Sequence, residues 1–320
     1  AIDYEAVDSA KAYKAYRDAI GFAKTKNLYY ELGRTYQNQS FLYISAANYT
    51  AARASLDTAI TCYQKSNHAN ARLWEANAYG DIGNILKFEN DLEQSALYHL
   101  KCIALLDTLG RYDKLVIRYC NLSTFFGDIR EPAKQKEYAF KAVSAAKKTG
   151  IPQQLFMAYF IVTHYYNEQH DGRSAKIYLD STRAFFSEQV NVDIAFTYYL
   201  ISGQVFSQLN QLDSAFYFFQ LGFEVSKKYN YRFGKAESQS QMGAIAILRK
   251  DYTAAERYLL AGAAEAKASN HFNILDDCYK YLSDVYAATG RYKQAYEFFE
   301  QYKTLNDSVV NLEAKKYVTN

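Results

Sequence analysis

A tyrosine returns every forty residues along this chain, at Tyr79, Tyr119, Tyr159, Tyr199 and Tyr279, and only Gln239 interrupts the register. A repeat this regular constrains the fold more than any other feature, because each copy must then be the same local unit packed on its neighbours. The unit is clearest in the last copy, 274–307. Tyr279, Leu282, Ser283 and Tyr286 fall on one helical stripe, Gly290 breaks the helix, and Tyr292, Ala295, Phe299 and Tyr302 form the stripe of a second helix. Stepping by forty, the small residue of the first helix becomes Gly243, Gly203, Thr163, Ser123 and Gly83, and that of the second becomes Ala255, Ala215, Ala175, Gln135 and Ser95. Small side chains at matched places let two helix backbones approach closely, while bulky ones fill the gap to the next pair.

This pattern resembles the tetratricopeptide repeat (TPR), in which the two small positions are numbered eight and twenty. An earlier copy with Tyr36, Ser40, Tyr43, Ala52 and Leu56 stands three residues out of step, so seven copies cover roughly residues 28–307. The expected fold is all-α: an α-solenoid, a right-handed superhelix of seven helix pairs, with a flanking helix at each end. The domain reading is 1–27 as an N-terminal flanking helix, 28–307 as the array, and 308–320 as a capping or connector helix begun by Asp307. The first helix ends in KTKN, like the later QKSN, KKTG, KKYN and KASN, whose last residue suits a left-handed cap. It therefore reads as a second helix without its partner, and the chain as a fragment. The apolar spacing of Val309, Leu312 and Tyr317 would suit a continuing helix or a second copy, so a homodimer through the terminal helices is one expectation. A ragged joint is expected from Phe185 to Asn191.

Composition agrees with helices. Of 320 residues, 32 are tyrosine and only two proline. Tyrosine buries its ring and leaves its hydroxyl at a wet edge, so the excess is read as a packing layer, with an aromatic platform for a sugar or base as the alternative. The net charge of +3 comes from interspersed acids and bases, which gives no field suited to nucleic acid. No apolar run is long enough to span a membrane. Four cysteines and five histidines show no metal-ligand spacing. Cys62 and Cys102 occupy related places in adjacent second helices, where a contact is conceivable. His99, at a position usually large and apolar, is expected to be a packed ring.

His164 and Glu168 stand one turn apart on a helix, but no third partner is near, and the pair reads as a hydrogen-bonding surface pair. Phosphate-loop, dinucleotide, zinc-protease and serine-hydrolase motifs are missing. No enzyme, no cofactor and no metal is expected.

The resemblance implies function on the concave face, lined by first helices. Its positions here carry many amides and other polar groups: Asn77, Asn84, Lys87, Asn121, Thr124, His164, Asn167, Gln204 and Gln208 form the expected ligand-binding set, within a list that also includes Arg34, Gln37, Lys280 and Asp284. Amides offer donor and acceptor together, as an extended peptide backbone does. Asn84 and Asn121 match the two asparagines of the chaperone-tail clamp of this family. The clamp's basic residues are missing, with Gly80, Met157 and Ile161 in their places. The ligand is therefore expected to be a peptide or protein held without chain-end recognition. The forty-residue style resembles the TPR sensor regions of bacterial membrane-linked signalling and transcriptional regulators, which implies a periplasmic or other extracytoplasmic location. The alternatives are a cytoplasmic peptide-responsive regulator and a protein–protein assembly scaffold.

Overall fold

The computed structural model describes residues 9–187 and 191–318, with side chains at 11–187 and 191–307. These residues form fifteen helices and no strand. A lone α1 (Ser9–Thr25) precedes seven pairs: α2 (Tyr29–Ser45) with α3 (Tyr49–Lys65), α4 (Ala71–Phe88) with α5 (Leu92–Thr108), α6 (Tyr112–Asp128) with α7 (Pro132–Thr149), and α8 (Pro152–Glu168) with α9 (Gly172–Arg183). Then come α10 (Val192–Gln208) with α11 (Leu212–Lys228), α12 (Arg232–Leu248) with α13 (Tyr252–Ala268), and α14 (Phe272–Ala288) with α15 (Tyr292–Val318). Each element packs chiefly on its neighbours in sequence, and first helices also touch one another, as α2 does α4 and α12 does α14. This is an α-solenoid. It packs as two compact units, Ala1–Ile161 and Val162–Asn320.

The forty-residue register survives in space. Tyr36, Tyr79, Tyr119, Tyr159, Tyr199 and Tyr279 are all half-buried near the middle of their first helices. Three of these rings meet the aromatic nineteen residues on, Tyr79 with Tyr98 at 6.2 Å, Tyr119 with Tyr138 at 6.2 Å and Tyr279 with Phe298 at 5.7 Å. Tyrosine is thus the packing layer between the two helices of a pair.

Small residues at the two matched positions bring the helices of a pair into contact. Ala52, Ser95, Ala175, Ala215 and Ala255 are fully buried on the second helices. Ser95 Oγ donates to the Gly83 carbonyl at 2.8 Å, and with the roles exchanged Ser123 Oγ donates to the Gln135 carbonyl at 2.9 Å and Ser283 Oγ to that of Ala295 at 2.9 Å. A Cβ on Gly243 would lie 2.6 Å from Leu259 Cγ. The one large residue at position twenty, Gln135, fits because Gly127 opposes it; a Cβ there would come within 2.6 Å of the Gln135 side-chain nitrogen.

The turns explain why the helices stop. Left-handed residues recur about every twenty positions, among them Asn90, Gly110, Arg130, Gly150, His170, Asn210, Asn230, Lys250, Asn270 and Gly290. In all of these but Gly150 the next amide reaches back to a helix carbonyl, as when Asp91 N–H donates to the Leu86 carbonyl at 2.9 Å while Asn90 N–H bonds Lys87; after Gly150 the Ile151 amide donates to the Thr149 hydroxyl instead. The following helix is often capped by a side chain, Asn48 on the Ala51 amide at 3.1 Å, Asp171 on Ser174 at 3.0 Å and Asp251 on Ala254 at 3.0 Å. Ala47, Arg130 and Lys250 take the left-handed conformation with a Cβ, at φ of 53°, 58° and 60°.

Several expectations are corrected. The QKSN end does not cap like the others: α3 stops at Lys65, and Ser66 turns extended at ψ 135°. The reason is a longer link in which His68 stacks on Tyr30 at 3.7 Å. No separate helix begins at Asp307, because α15 runs unbroken to Val318 through a segment with neither glycine nor proline to stop it. Val309, Leu312 and Tyr317 have side chains outside the described residues. At the ragged joint α9 ends at Arg183 and Phe186 stacks on Tyr198 at 4.1 Å, while 188–190 lie outside the described residues. All four cysteines are free and buried, Cys62 and Cys102 included.

Two substitutions test this account. Gly243→Ala forces Leu259 away from the closest helix contact and should lower stability by about 1–3 kcal/mol, read by urea denaturation. Lys250→Gly removes the left-handed cost at a turn and should raise stability by about 0.5–1 kcal/mol in the same assay.

Candidate functional site

The face formed by the first helices is polar, and much of it is already engaged. In the first unit, Tyr63 donates its hydroxyl to Gln37 Oε1 at 2.8 Å, and Gln37 Nε2 donates to Asp81 at 2.7 Å, which ties α2, α3 and α4. Burial pushes the Tyr63 phenol well above its ordinary range. Burial also raises the Asp81 carboxyl, and the Gln37 hydrogen bond and Arg118 only partly offset it. Arg118 reaches from α6 to donate to Asn77 Oδ1 at 3.3 Å. Its guanidinium lies over Gly80, where a Cβ would come 2.6 Å from Nη1. The cation absent from position five in sequence is thus delivered there by the next helix, whose own position lies off the expected ligand face. Glycine at 80 was the one signal of it, since only a residue without a side chain leaves that room.

Of the expected ligand set, Asn77 is bonded to Arg118, and Lys87 pairs with Asp128 at 2.8 Å. Asn84, Asn121 and Thr124 are exposed, and the Thr124 hydroxyl donates to the Cys120 carbonyl at 3.3 Å. In the second unit Asn167 is buried. Its Nδ2 donates to Gln204 Oε1 at 2.8 Å, and its Oδ1 accepts from Gln208 Nε2 at 2.9 Å. Asn167, Gln204 and Gln208 are therefore brought together as a strut between α8 and α10, satisfying one another. His164 and Glu168 do approach each other, with Nδ1 3.4 Å from the carboxylate, but Nδ1 makes no hydrogen bond. Among the described residues no three His, Cys, Asp or Glu could hold a metal ion, and no helix is long and apolar enough to cross a membrane.

An acidic stretch in the second unit was not anticipated beyond Asp284. Burial raises the Glu237 carboxyl, the Gln241 amide hydrogen-bonded to it at 2.9 Å lowers it, and Asp277 raises it further. Asp276 is raised by burial and then by Asp277; Asp277 is raised by burial and relieved by Lys280. These acids stand on first helices one repeat apart, a proximity invisible in a linear reading. Elsewhere on the first unit, the Arg34 guanidinium lies 3.4 Å from the Trp74 ring centre, a cation–π contact that covers the single tryptophan.

The fold is that of tetratricopeptide-repeat proteins. Among solved structures, the apo form of RapI shares the fold with a TM-score of 0.64 at 12% identity, the match covering 87% of this chain and 99% of that one. The apo form of the quorum sensor NprR from B. thuringiensis matches with a TM-score of 0.60 at 11% identity, over 95% of this chain and 96% of the other. A signal transduction ATPase with a tetratricopeptide repeat sensor, from Pyrococcus horikoshii, matches with a TM-score of 0.62 at 15% identity, over 91% of this chain and 46% of that one. No protein-family model and no curated protein matches the chain.

His99 supplies a measurable signature of the packed layer. It is buried against Gly83, and burial, reinforced by Arg118 and Lys87, lowers its pKa from 6.5 to about 4. The unfolded chain binds this proton more readily than the folded one. Stability from this group is therefore complete above pH 6.5 and lost as pH falls toward 4, by an amount of order 3 kcal/mol. Urea denaturation between pH 7 and pH 4 should show a shallower loss in His99→Leu, which carries the residue found at this position in Leu179 and Leu259, than in the wild type.

Proposed function

We propose that the chain is a non-enzymatic binding and sensing module whose ligand is a peptide or protein, held on the face of the first helices. The observation that carries this reading is the division of labour among the polar residues there. Asn77, Lys87, Asn167, Gln204 and Gln208 are occupied by partners within the fold, whereas Asn84, Asn121 and Thr124 are exposed to solvent on successive first helices of one unit. An exposed amide on each of two neighbouring helices offers a donor and an acceptor to a peptide backbone. Each such bond contributes about 0.5–1.5 kcal/mol, so useful affinity requires a wider contact surface than this pair. The exposed Phe88 ring, stacked on Tyr49 at 6.0 Å, and the aliphatic stem of Lys87 extend that surface.

In the same reading the module is the sensory part of a bacterial signalling or transcriptional regulator, in its extracytoplasmic region. The support is analogy: two of the structures with this fold are described as a quorum sensor and as a signalling ATPase carrying a repeat sensor. Direct nucleic-acid binding is not part of the proposal, since the net charge is only +3.

A peptide-library pull-down followed by calorimetry tests the site. The Asn84→Ala/Asn121→Ala double variant should bind the selected peptide about tenfold or more weakly, with an unchanged helical signal. Unaltered affinity would place the ligand on another surface.

A further inference from the structure

The seat of Arg118 is made by a missing side chain. Gly80 is buried, although Asn77 and Asn84 on the same stripe of α4 are half-buried and exposed. What covers it is the Arg118 guanidinium reaching over from α6, so that a Cβ at Gly80 would come 2.6 Å from Nη1 and 2.8 Å from Cζ. The arginine keeps this place only while residue 80 has no side chain. Asn77 Oδ1 fixes the group by accepting from Nη2 at 3.3 Å.

The guanidinium held in this way keeps donors free. Among the described residues Arg118 forms no ion pair, and the contact with Asn77 is its one hydrogen bond. Its Nε and Nη1 have no partner and are open to solvent, whereas Arg34 Nε and Arg53 Nε are unpartnered and closed to it. The neighbouring charges are engaged elsewhere: Asp81 feels the Arg118 charge but accepts from Gln37 Nε2 at 2.7 Å, and Lys87 pairs with Asp128 at 2.8 Å. A half-buried cation without a counter-ion is costly, and a carboxylate is the planar partner that its N–H fork fits. With the fixed negative charge of Asp81 nearby, the place suits a single negative charge rather than a doubly charged phosphate.

We propose that Arg118 receives the side-chain carboxylate of an aspartate or glutamate within the bound peptide. This rests on the reading that the first helices of the first unit form the binding face, and it adds a sequence preference to that face. Asn84 stands one turn beyond Gly80 on α4, and Asn121 one turn beyond Arg118 on α6, both exposed. The amides offered to a peptide backbone therefore flank the guanidinium. An acidic residue inside a chain keeps backbone on both sides for these amides, while a chain end has it on one side only. Two exposed amides alone accept any sequence; the seated cation selects an acid between them.

The probe is a short peptide, capped at both ends, with glutamate at its centre and alanine elsewhere. It is titrated into the whole chain and followed through the Arg118 Nε–H resonance and the side-chain amide resonances of Asn84 and Asn121. Saturable shifts are expected at all three, and the same peptide with central glutamine should bind about fivefold more weakly. A glutamine peptide with a free C-terminal carboxylate should not recover the difference. Arg118→Gln should remove the preference for glutamate over glutamine, and Arg118→Lys should keep part of it. Gly80→Ala leaves the arginine in the chain but displaces its guanidinium; it should lose the preference without lowering the melting temperature, and it serves if Arg118→Gln does not fold. No shift at Arg118 Nε–H, equal affinity for the two capped peptides, a preference that persists in Arg118→Gln, or full recovery by the free chain end would overturn the proposal. A glutamate preference retained at unchanged affinity in Asn84→Ala/Asn121→Ala would support the role of Arg118 and remove only the amide pair from the binding face.

Discussion

The close approach of two helices at positions eight and twenty is the contact on which the rest of the structure depends. Glycine, serine or alanine there removes the side chains that would hold the axes apart, so the pair closes and the tyrosine at position four is pressed onto the second helix. Where a larger residue enters, something else gives way, as Gly127 does for Gln135. Because each pair repeats this contact, its outer surfaces are presented to the next pair in the same register, and the array grows by nearest-neighbour packing without a central core.

Close stacking has a consequence for function. Polar residues that face the shared surface of successive first helices lie within reach of one another and are drawn into struts. Tyr63, Gln37, Asp81, Arg118 and Asn77 form one such series, and Asn167, Gln204 and Gln208 another. Each strut satisfies groups that would be costly to leave alone at a partly dry interface, and it sets the spacing of the helices. Asn84, Asn121 and Thr124 lie exposed beside this network.

The repeat was legible because it is written in residue size and helical spacing. The seven pairs, their turns and the packing role of tyrosine all follow from Tyr79 and its equivalents, from the small residues at Gly83 and Ser95, and from Asn or Gly at helix ends. The misreadings were local. Asp307 has the chemistry of a cap, yet nothing in the surrounding segment interrupts α15. Asn67 has the chemistry of a left-handed end, yet the link around His68 takes a different path to reach Tyr30.

The candidate site was less legible than the fold. Sequence position gathers the polar residues of the first helices, but such a list cannot separate those that serve the stack from those exposed to solvent. Asn167 and Asn84 are the same residue type on the same class of helix, and one is buried between two glutamines while the other is exposed. The difference depends on what the adjacent repeat places opposite, thirty-seven or forty-one residues away. By itself, then, the sequence determined the helices, their pairing and the period, because these depend on local spacing and side-chain volume. Only the tertiary structure decided that Arg118 covers Gly80, that the amide set is largely spent, and that Tyr258 turns to Phe216 where Gln239 replaces the repeat tyrosine, because each of these arises where helices distant in sequence meet.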